Sequence, residues 1–328
     1  MKILVLGHEE VVELLPMAEC VELMRDALVA RAEGRVHQPL RTIVRPAEAA
    51  GVMGLMPAYA SGPRAAFGLK AICVFPGNAA QGKDSHQGAV LLYGAETGEL
   101  LSVVNASAVT AVRTAAVSAL ATDVLAREDA CDLCVVGAGV QARTHVEAIA
   151  CVRDVRRCRV AGRSAERARS LVEELRGLYE FPVEAVGTVG EAVRGADLVV
   201  TATNSAGPVL RREWVSAGAH VNAVGSCTPH TRELDAETLA ASSLFVDSVE
   251  SLVNEAGDYL LALREGAVGP SHIRAELGEV LTGAKPGRTS RQEITLFKSL
   301  GLGVEDLAAA AFLYDRAKEA GAGTWVNF

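Results

Sequence analysis

The run "CDLCVVGAGVQARTHVEAIACV" (131–152) constrains the fold more than any other stretch. An apolar segment stops at glycines, and a segment of helical periodicity follows, with Val140, His145 or Val146, and Ile149 on one side. Gly137, Gly139 and Ala142 form G-x-G-x-x-A in the strand–turn–helix context that this motif requires. Such glycines let backbone approach a pyrophosphate, which then rests on the helix N-terminus. Gly137, Gly139, Val140, Gln141 and Ala142 are therefore candidate dinucleotide contacts.

The same alternation continues downstream. "CRVAG" reads as a strand and "SAERARSLVEELRGLY" as a helix with Ser164 as its N-cap. "PVEAVG", "VGEAVRGA", "DLVVTATN", "AHVNAVG" and "SLFVDS" extend the pattern. Strands separated by helical segments of this length predict right-handed βαβ units and a parallel sheet. The first ~115 residues read differently. "LPMAECVELMRDALVARAEG" is an amphipathic helix ending at Gly34, followed by strand-like "LRTIVRP", "GVMGLMPAY", "FGLKAICVFPGN" and "GAVLLYGAETGELLSVV". Turn signals such as "AETGE" predict antiparallel pairing. An Ala-rich helix, "AVTAVRTAAVSALATDVLA", joins the two regions, and "GVEDLAAAAFLYDRAKEAG" supplies a C-terminal helix placed to return to the first. The expected class is α/β: a Rossmann dinucleotide-binding domain over 116–302, with an α+β domain from 1–115 and 303–328.

The 328 residues suffice for two domains, and half are hydrophobic, as in globular chains. A net charge of −8 disfavours nucleic acid or an anionic membrane surface as partner. "MKILVLGHEEVVELL" lacks a signal pattern, and no apolar run reaches the ~18 residues of a membrane span, so a cytoplasmic location is expected. The seven cysteines are odd in number, scattered and mostly in apolar runs, as reduced core thiols would be. Cys131 and Cys134 fall on opposite faces of a strand, so no metal site is expected there.

The strand after the glycine turn bears on the choice of dinucleotide. An NAD site usually carries an acid about 20 residues on, for the ribose hydroxyls. Here Gly162 stands near that place, followed by Arg163, Ser164 and Arg167. Guanidinium groups pair with a 2′-phosphate that an acid would repel, so NADP(H) is favoured, with NAD(H) the alternative. Solvated charges at a helix start are the bland reading of the same arginines. Arg41, Lys70 and Arg113 each lie in or beside apolar stretches, where a bare charge is costly. Either a substrate carboxylate or an internal salt bridge would balance each. In "NAVGSCTPHTREL" (222–234), Cys227 and His230 suggest a nucleophile and its base, but no orienting third group or oxyanion site accompanies them.

The chain resembles the ornithine cyclodeaminase/mu-crystallin family along essentially its whole length. The resemblance rests on "LMPAY" (55–59), "LK" (69–70), "SHQ" (85–87), "VTAVRTAAVSALAT" (109–122) and "GAGVQA" (137–142). It continues in "HVNAVGS" (220–226), "REL" (232–234), "AELGEVLTGAKPGR" (275–288) and "TLFKSLGLGVED" (295–306). It implies that the first domain binds substrate and forms a homodimer through its strands. It implies that Arg41, Lys70 and Arg113 hold a substrate carboxylate, with Cys227 at a substrate-binding position; Lys70 or His86 is then the candidate proton donor, and no metal is expected. Thr201, Thr203, Asn204, Val224, Gly225, Ser226, Ser299, Leu300 and Gly301 become candidate cofactor contacts by the same resemblance.

Departures narrow the reaction. Where true ornithine cyclodeaminases resemble "VIELMP", this chain has "VMGLMP", with Gly54 in place of the acid. Their Asp after the "NAVG" strand aligns with Cys227. Cyclodeamination needs a base and an ammonium anchor, which glycine and a neutral thiol do not provide. The expectation is an NAD(P)H-dependent reductase of a small carboxylate-bearing imine or ketimine, or the reverse amino-acid oxidation. Alternatives are an ornithine or lysine cyclodeaminase with tightly bound NAD+, an alanine dehydrogenase-like enzyme, and a non-catalytic NADPH-dependent binding protein. "VVNASAVTA" is another departure: Asn105 and Ala106 replace a more usual Asp-Gly, which predicts a local change of turn.

Overall fold

The computed structural model describes residues 2–328, with Ala79 and Ala80 described by their backbone alone. Two compact units emerge, divided at Arg113/Thr114 and Leu300/Gly301, two residues before each expected boundary.

The first unit is built on an eight-stranded sheet. Its strands are β1 (Lys2–Leu6), β2 (Val36–His37), β3 (Thr42–Val44), β4 (Val52–Ala60), β5 (Ala66–Val74), β6 (His86–Gly94), β7 (Leu100–Asn105) and, last in the chain, β16 (Thr324–Asn327). The order is β16-β1-β7-β6-β5-β4-β2, with β3 also on β4. The run from β4 to β7 is antiparallel, as the turn signals predict. The edge formed by β1 and β16 is a feature the sequence reading lacks; β1 runs parallel to β7 and antiparallel to β16.

Antiparallel register fixes which side chains share a face. Met56, Lys70, Val90 and Val104 form one row, Gly54, Ile72 and Gly88 the next, and Val52, Val74 and His86 the one beyond. Helices α1 (His8–Leu14) and α2 (Met17–Ala32), the first part of α3 (Ala106–Leu125), and α11 (Gly303–Ala320) complete the unit. α11 lies on the face that carries Lys70. It approaches so closely that a Cβ at Gly68 would come within 2.9 Å of Leu307 Cδ1. The opposite face leaves Val44, Met53 and Phe67 at 40–49% exposure, with the Tyr59 and Phe67 rings 4.7 Å apart.

α3 begins where the chain departs from Asp-Gly. Asn105 Oδ1 accepts the Ala108 N–H at 2.9 Å and so caps the helix, an interaction that typically stabilises by ~1 kcal/mol. α3 has the length and apolar character of a membrane span, but 83% of its most apolar window is buried within the protein.

The second unit, Thr114–Leu300, contains a wholly parallel sheet. Its strands are β8 (Asp132–Val136), β9 (Arg157–Ala161), β10 (Val183–Ala185), β11 (Leu198–Thr201), β12 (His220–Ala223), β13 (Ser242–Val246), β14 (Ile273–Glu276) and β15 (Ile294–Lys298). The order is β10-β9-β8-β11-β12-β15-β13-β14. The connecting helices are α4 (Val140–Ala150), α5 (Ala165–Leu175), α6 (Val189–Val193), α7 (Ala236–Ala240), α8 (Val249–Glu255), α9 (Gly257–Arg264) and α10 (Leu277–Leu281). Both sheet faces are covered: Leu133 and Val135 enter one core, Cys134 and Val136 the other. That explains why these strands read as unbroken apolar runs. β14 and β15 are the strands that pattern reading left out, and β15 is inserted out of sequence between β12 and β13.

Candidate active site

The cradle of the second unit starts where β8 ends. Gly137 has φ 134°, and a Cβ there would lie 2.5 Å from the Ala202 carbonyl oxygen, so only glycine fits. Its N–H is donated to Ala161 O at 2.8 Å, which ties the turn to the end of β9. Gly139 is the N-cap of α4, and a Cβ there would meet nothing within 4 Å. The ground beside the helix N-terminus is thus open, with Val140 exposed and Gln141 half-buried at its start. Ala142 is completely buried, which lets α4 pack closely on the sheet. An open, positively polarised N-terminus of an eleven-residue helix fits a pyrophosphate.

At the end of β9, Gly162 leaves no carboxylate beside the turn; a Cβ there would be 3.9 Å from the Gly137 backbone. Ser164 caps α5, its Oγ accepting the Arg167 N–H at 3.2 Å. Arg163 and Arg167 are exposed, and their guanidinium groups make no ion pair among the described residues.

The loops after β11 and β12 converge on a residue that the sequence reading passed over. Glu233 is fully buried. Its Oε2 accepts from Thr201 Oγ1 (2.9 Å) and Gly225 N (2.6 Å); its Oε1 accepts from Thr203 N (2.6 Å) and Thr203 Oγ1 (2.7 Å). Burial pushes the Glu233 pKa up, while Lys298 and the Thr203 hydrogen bonds oppose that shift. Asp258 Oδ1 accepts from Glu233 N and Leu234 N, and Asp258 Oδ2 lies 3.3 Å from Lys298 Nζ. The hydroxyls of Thr201 and Thr203 therefore point to Glu233. Asn204 is exposed, Val224 is buried, and Ser226 Oγ donates to the Thr231 carbonyl. Ser299 N donates to Ala223 O at 3.1 Å, and Leu300 N to Asp247 Oδ2 at 2.6 Å.

Cys227 and His230 do not form a dyad. The thiol's polar neighbours are Val224 O at 3.6 Å and Ser299 O at 3.9 Å, and His230 is exposed.

In the first unit the three expected cations come together. Lys70 Nζ bonds Asp306 at 2.9 and 2.8 Å and reaches Thr110 Oγ1 at 3.5 Å. Arg113 Nε bonds Asp306 Oδ1 at 3.1 Å, and one terminal nitrogen bonds Glu305 Oε2 at 2.6 Å. Arg41 donates to Gly301 O at 3.0 Å. Gly301, at φ 78°, lies against Arg113: a Cβ there would be 2.5 Å from the guanidinium. The internal salt bridge is thus realised for Lys70 and Arg113. Arg41, Lys70 and Arg113 are gathered around Asp306 and Gly301, with Glu305 on Arg113. Burial, with Arg113 and Arg41, lowers the Lys70 pKa to about 8 against the pull of Asp306. His86, half-buried with Nδ1 3.0 Å from Ser85 Oγ, also has a lowered pKa, first from burial and then from Lys70 and Arg113. Glu305 and Asp306, absent from the expected site, carried the same signal as the cations: charge inside the apolar run "LGVEDLAAAAF".

A glycine-turn dinucleotide unit and a second unit with a buried cation cluster point to an oxidoreductase of the nicotinamide-nucleotide class. The chain matches the ornithine cyclodeaminase/mu-crystallin family over residues 1–321 and belongs to it. It is 37% identical over 326 residues to a Delta(1)-pyrroline-2-carboxylate reductase of Bacillus cereus, covering 99% of this chain and all of that one. It is 42% identical over 283 residues to the ketimine reductase mu-crystallin of Mus musculus, covering 86% of each. Among solved structures it is similar to the Delta(1)-pyrroline-2-carboxylate reductase of Thermococcus litoralis in complex with NADH and L-proline. There the TM-score is 0.96 at 36% identity, over 98% of this chain and 99% of that one.

Asp306 is the counter-charge shared by two buried cations. Asp306→Asn is expected to lower the unfolding free energy by roughly 3–5 kcal/mol, because it strands charge in the core. Denaturant unfolding measures this; a loss below about 1 kcal/mol would mean the cluster is solvated like a surface pair.

Proposed function

We propose that the protein is an NAD(P)H-dependent reductase of a small carboxylate-bearing imine, also able to run the reverse amino-acid oxidation. The observation that carries this reading is the meeting of Arg41 and Arg113 at Gly301, with Lys70 joined to Arg113 through Asp306. Three clustered cations suit a monoanionic carboxylate, and a planar guanidinium recognises it in bidentate fashion. When bound, the dinucleotide supplies the hydride that goes to the imine carbon. The open turn at Gly139 and the N-terminus of α4 would hold its pyrophosphate, with Val140 and Gln141 beside it.

The chain's own groups supply orientation and a proton. Arg41 and Arg113 fix the carboxylate, and so the carbon beside it; such positioning provides much of the rate gain in bimolecular transfers. Lys70, with its pKa lowered to about 8, is mostly protonated at neutral pH yet yields a proton more readily than an ordinary lysine. A proton at the imine nitrogen makes it a better hydride acceptor. His86 shares the Lys70 face of the sheet, two rows away, and its lowered pKa keeps it neutral at pH 7. With Gly54 and Cys227 in place of carboxylates, no acid anchors the ammonium group that cyclodeamination requires.

Arg163 and Arg167 favour NADP(H) over NAD(H), since neither is engaged in an ion pair among the described residues and Gly162 presents no opposing carboxylate. The outward sheet face bearing Val44, Met53, Tyr59 and Phe67 is apolar and open, as a homodimer contact would be.

Purified protein is expected to oxidise NADPH when given cyclic imine carboxylates, read as loss of nicotinamide absorbance. Release of ammonia from ornithine with no net absorbance change would overturn the reductase reading. The double variant Arg163→Ala, Arg167→Ala is expected to weaken NADPH about tenfold while leaving NADH binding as it was. Equal losses for both nucleotides would remove the arginines from 2′-phosphate recognition. Light scattering is expected to give the mass of two chains, and Phe67→Asp to give one; a wild-type monomer at micromolar concentration would refute the dimer.

A further inference from the structure

We propose that Glu233 is a positioning residue that sets the two loops facing the nicotinamide end of the dinucleotide. The proposal rests on the reading of the second unit as the nucleotide site and adds to it a residue that touches no ligand. Glu233 lies in the loop before α7, remote in sequence from the glycine turn, yet one carboxylate draws together the loop after β11 and the loop after β12. It does so with four hydrogen bonds, two to hydroxyls and two to backbone N–H groups, at 2.6 to 2.9 Å.

These loops leave the carboxyl ends of β11, which neighbours β8, and of β12 beyond it, the edge where open parallel sheets bind ligands. The connection to the cradle is direct, because Ala202 O, in the first of the two loops, is the atom that forbids a side chain at Gly137. Gly225 is equally constrained: a Cβ there would lie 2.0 Å from Thr203 O and 2.6 Å from Glu233 Oε1. The loops are therefore packed backbone to backbone around the carboxylate. Glu233 is held in turn. Its N–H and that of Leu234 are donated to Asp258, Asp258 is paired with Lys298, and Lys298 Nζ donates to Ala223 O at the end of β12. Its own carbonyl accepts from Val209 N and Leu210 N.

With all four acceptor directions filled and no exposure, Glu233 has no capacity left for a ligand or for proton transfer. Its acceptor-only character matters: every partner is a donor. Glu233→Gln keeps the shape but turns an amide NH2 toward one hydroxyl, which can rotate to accept, and one backbone N–H, which cannot, so that loop is pushed away. The adenine end, held by the segment after β9, is not part of this network.

The test is a comparison of two nucleotides on one variant. NADPH and 2′-phospho-ADP-ribose, which lacks the nicotinamide, are titrated by calorimetry into wild type and Glu233→Gln, with NADH and ADP-ribose run in parallel. The variant is expected to weaken the intact dinucleotides about tenfold, and the truncated ones less than about twofold. Thr201→Val, which removes one donor from a fully buried site, is expected to show the same split at smaller size, and carries the test if Glu233→Gln does not fold. Equal weakening of both ligand types would make Glu233 a general scaffold residue, and no weakening would remove it from the site; either overturns the proposal. Failure of the wild type to bind either pair would instead refute the nucleotide reading itself.

Discussion

The buried charge cluster of Lys70, Arg113, Glu305 and Asp306 is the constraint that organises the first unit. Each ion taken from water costs several kcal/mol, and only its partners offset that. Asp306 binds both cations, so neither pair can be opened without stranding the other. The four residues come from β5, α3 and α11, and the cluster therefore fixes a strand and two helices with one set of bonds. Apolar side chains of the same volume would hold those elements at least as well. What apolar packing would lack is a set of clustered cations, the feature on which the proposed recognition of a carboxylate rests.

The second unit contains a buried ionic network of its own. Both Glu233 oxygens and Asp258 Oδ1 accept from hydroxyls and backbone N–H groups, and Asp258 Oδ2 lies against Lys298 Nζ. Its bonds run mostly to backbone, so the network shapes the loops around it. The first cluster instead gathers three cations, Arg41, Lys70 and Arg113, around Asp306 and Gly301.

This distinction also explains what was legible in the sequence. The glycine turn, the Ser164 cap and the strand–helix alternation are local patterns; the structure starts α4 and α5 where expected but ends α5 at Leu175, four residues before Tyr179. The cations stood out because charge in an apolar run demands a partner. Which partner it would be depended on α11 returning to the first unit, and its acids lie 193 and 236 residues from the cations they meet. Thr201 and Thr203 stand at the carboxyl end of β11, but the direction of their hydroxyls depended on Glu233, some 30 residues on. β1, β14, β15 and β16 escaped because their short apolar runs are defined by strand neighbours distant in sequence.

The glycines give the last step. At Gly137 and Gly88 the structure forces glycine, since a Cβ would strike backbone at 2.5 and 2.1 Å. Gly54 is different. Its φ is not in the left-handed region, and a Cβ there would make ordinary contacts with Ile43 at 3.5 Å and Ile72 at 3.7 Å. Folding thus admits a side chain at 54, and its absence has another cause. Gly54 lies one row from Lys70 on the face that bears the cation cluster. A carboxylate there would stand one row from Lys70 and compete for the same cations. Glycine leaves that place without a competing anion, as the proposed carboxylate substrate would require.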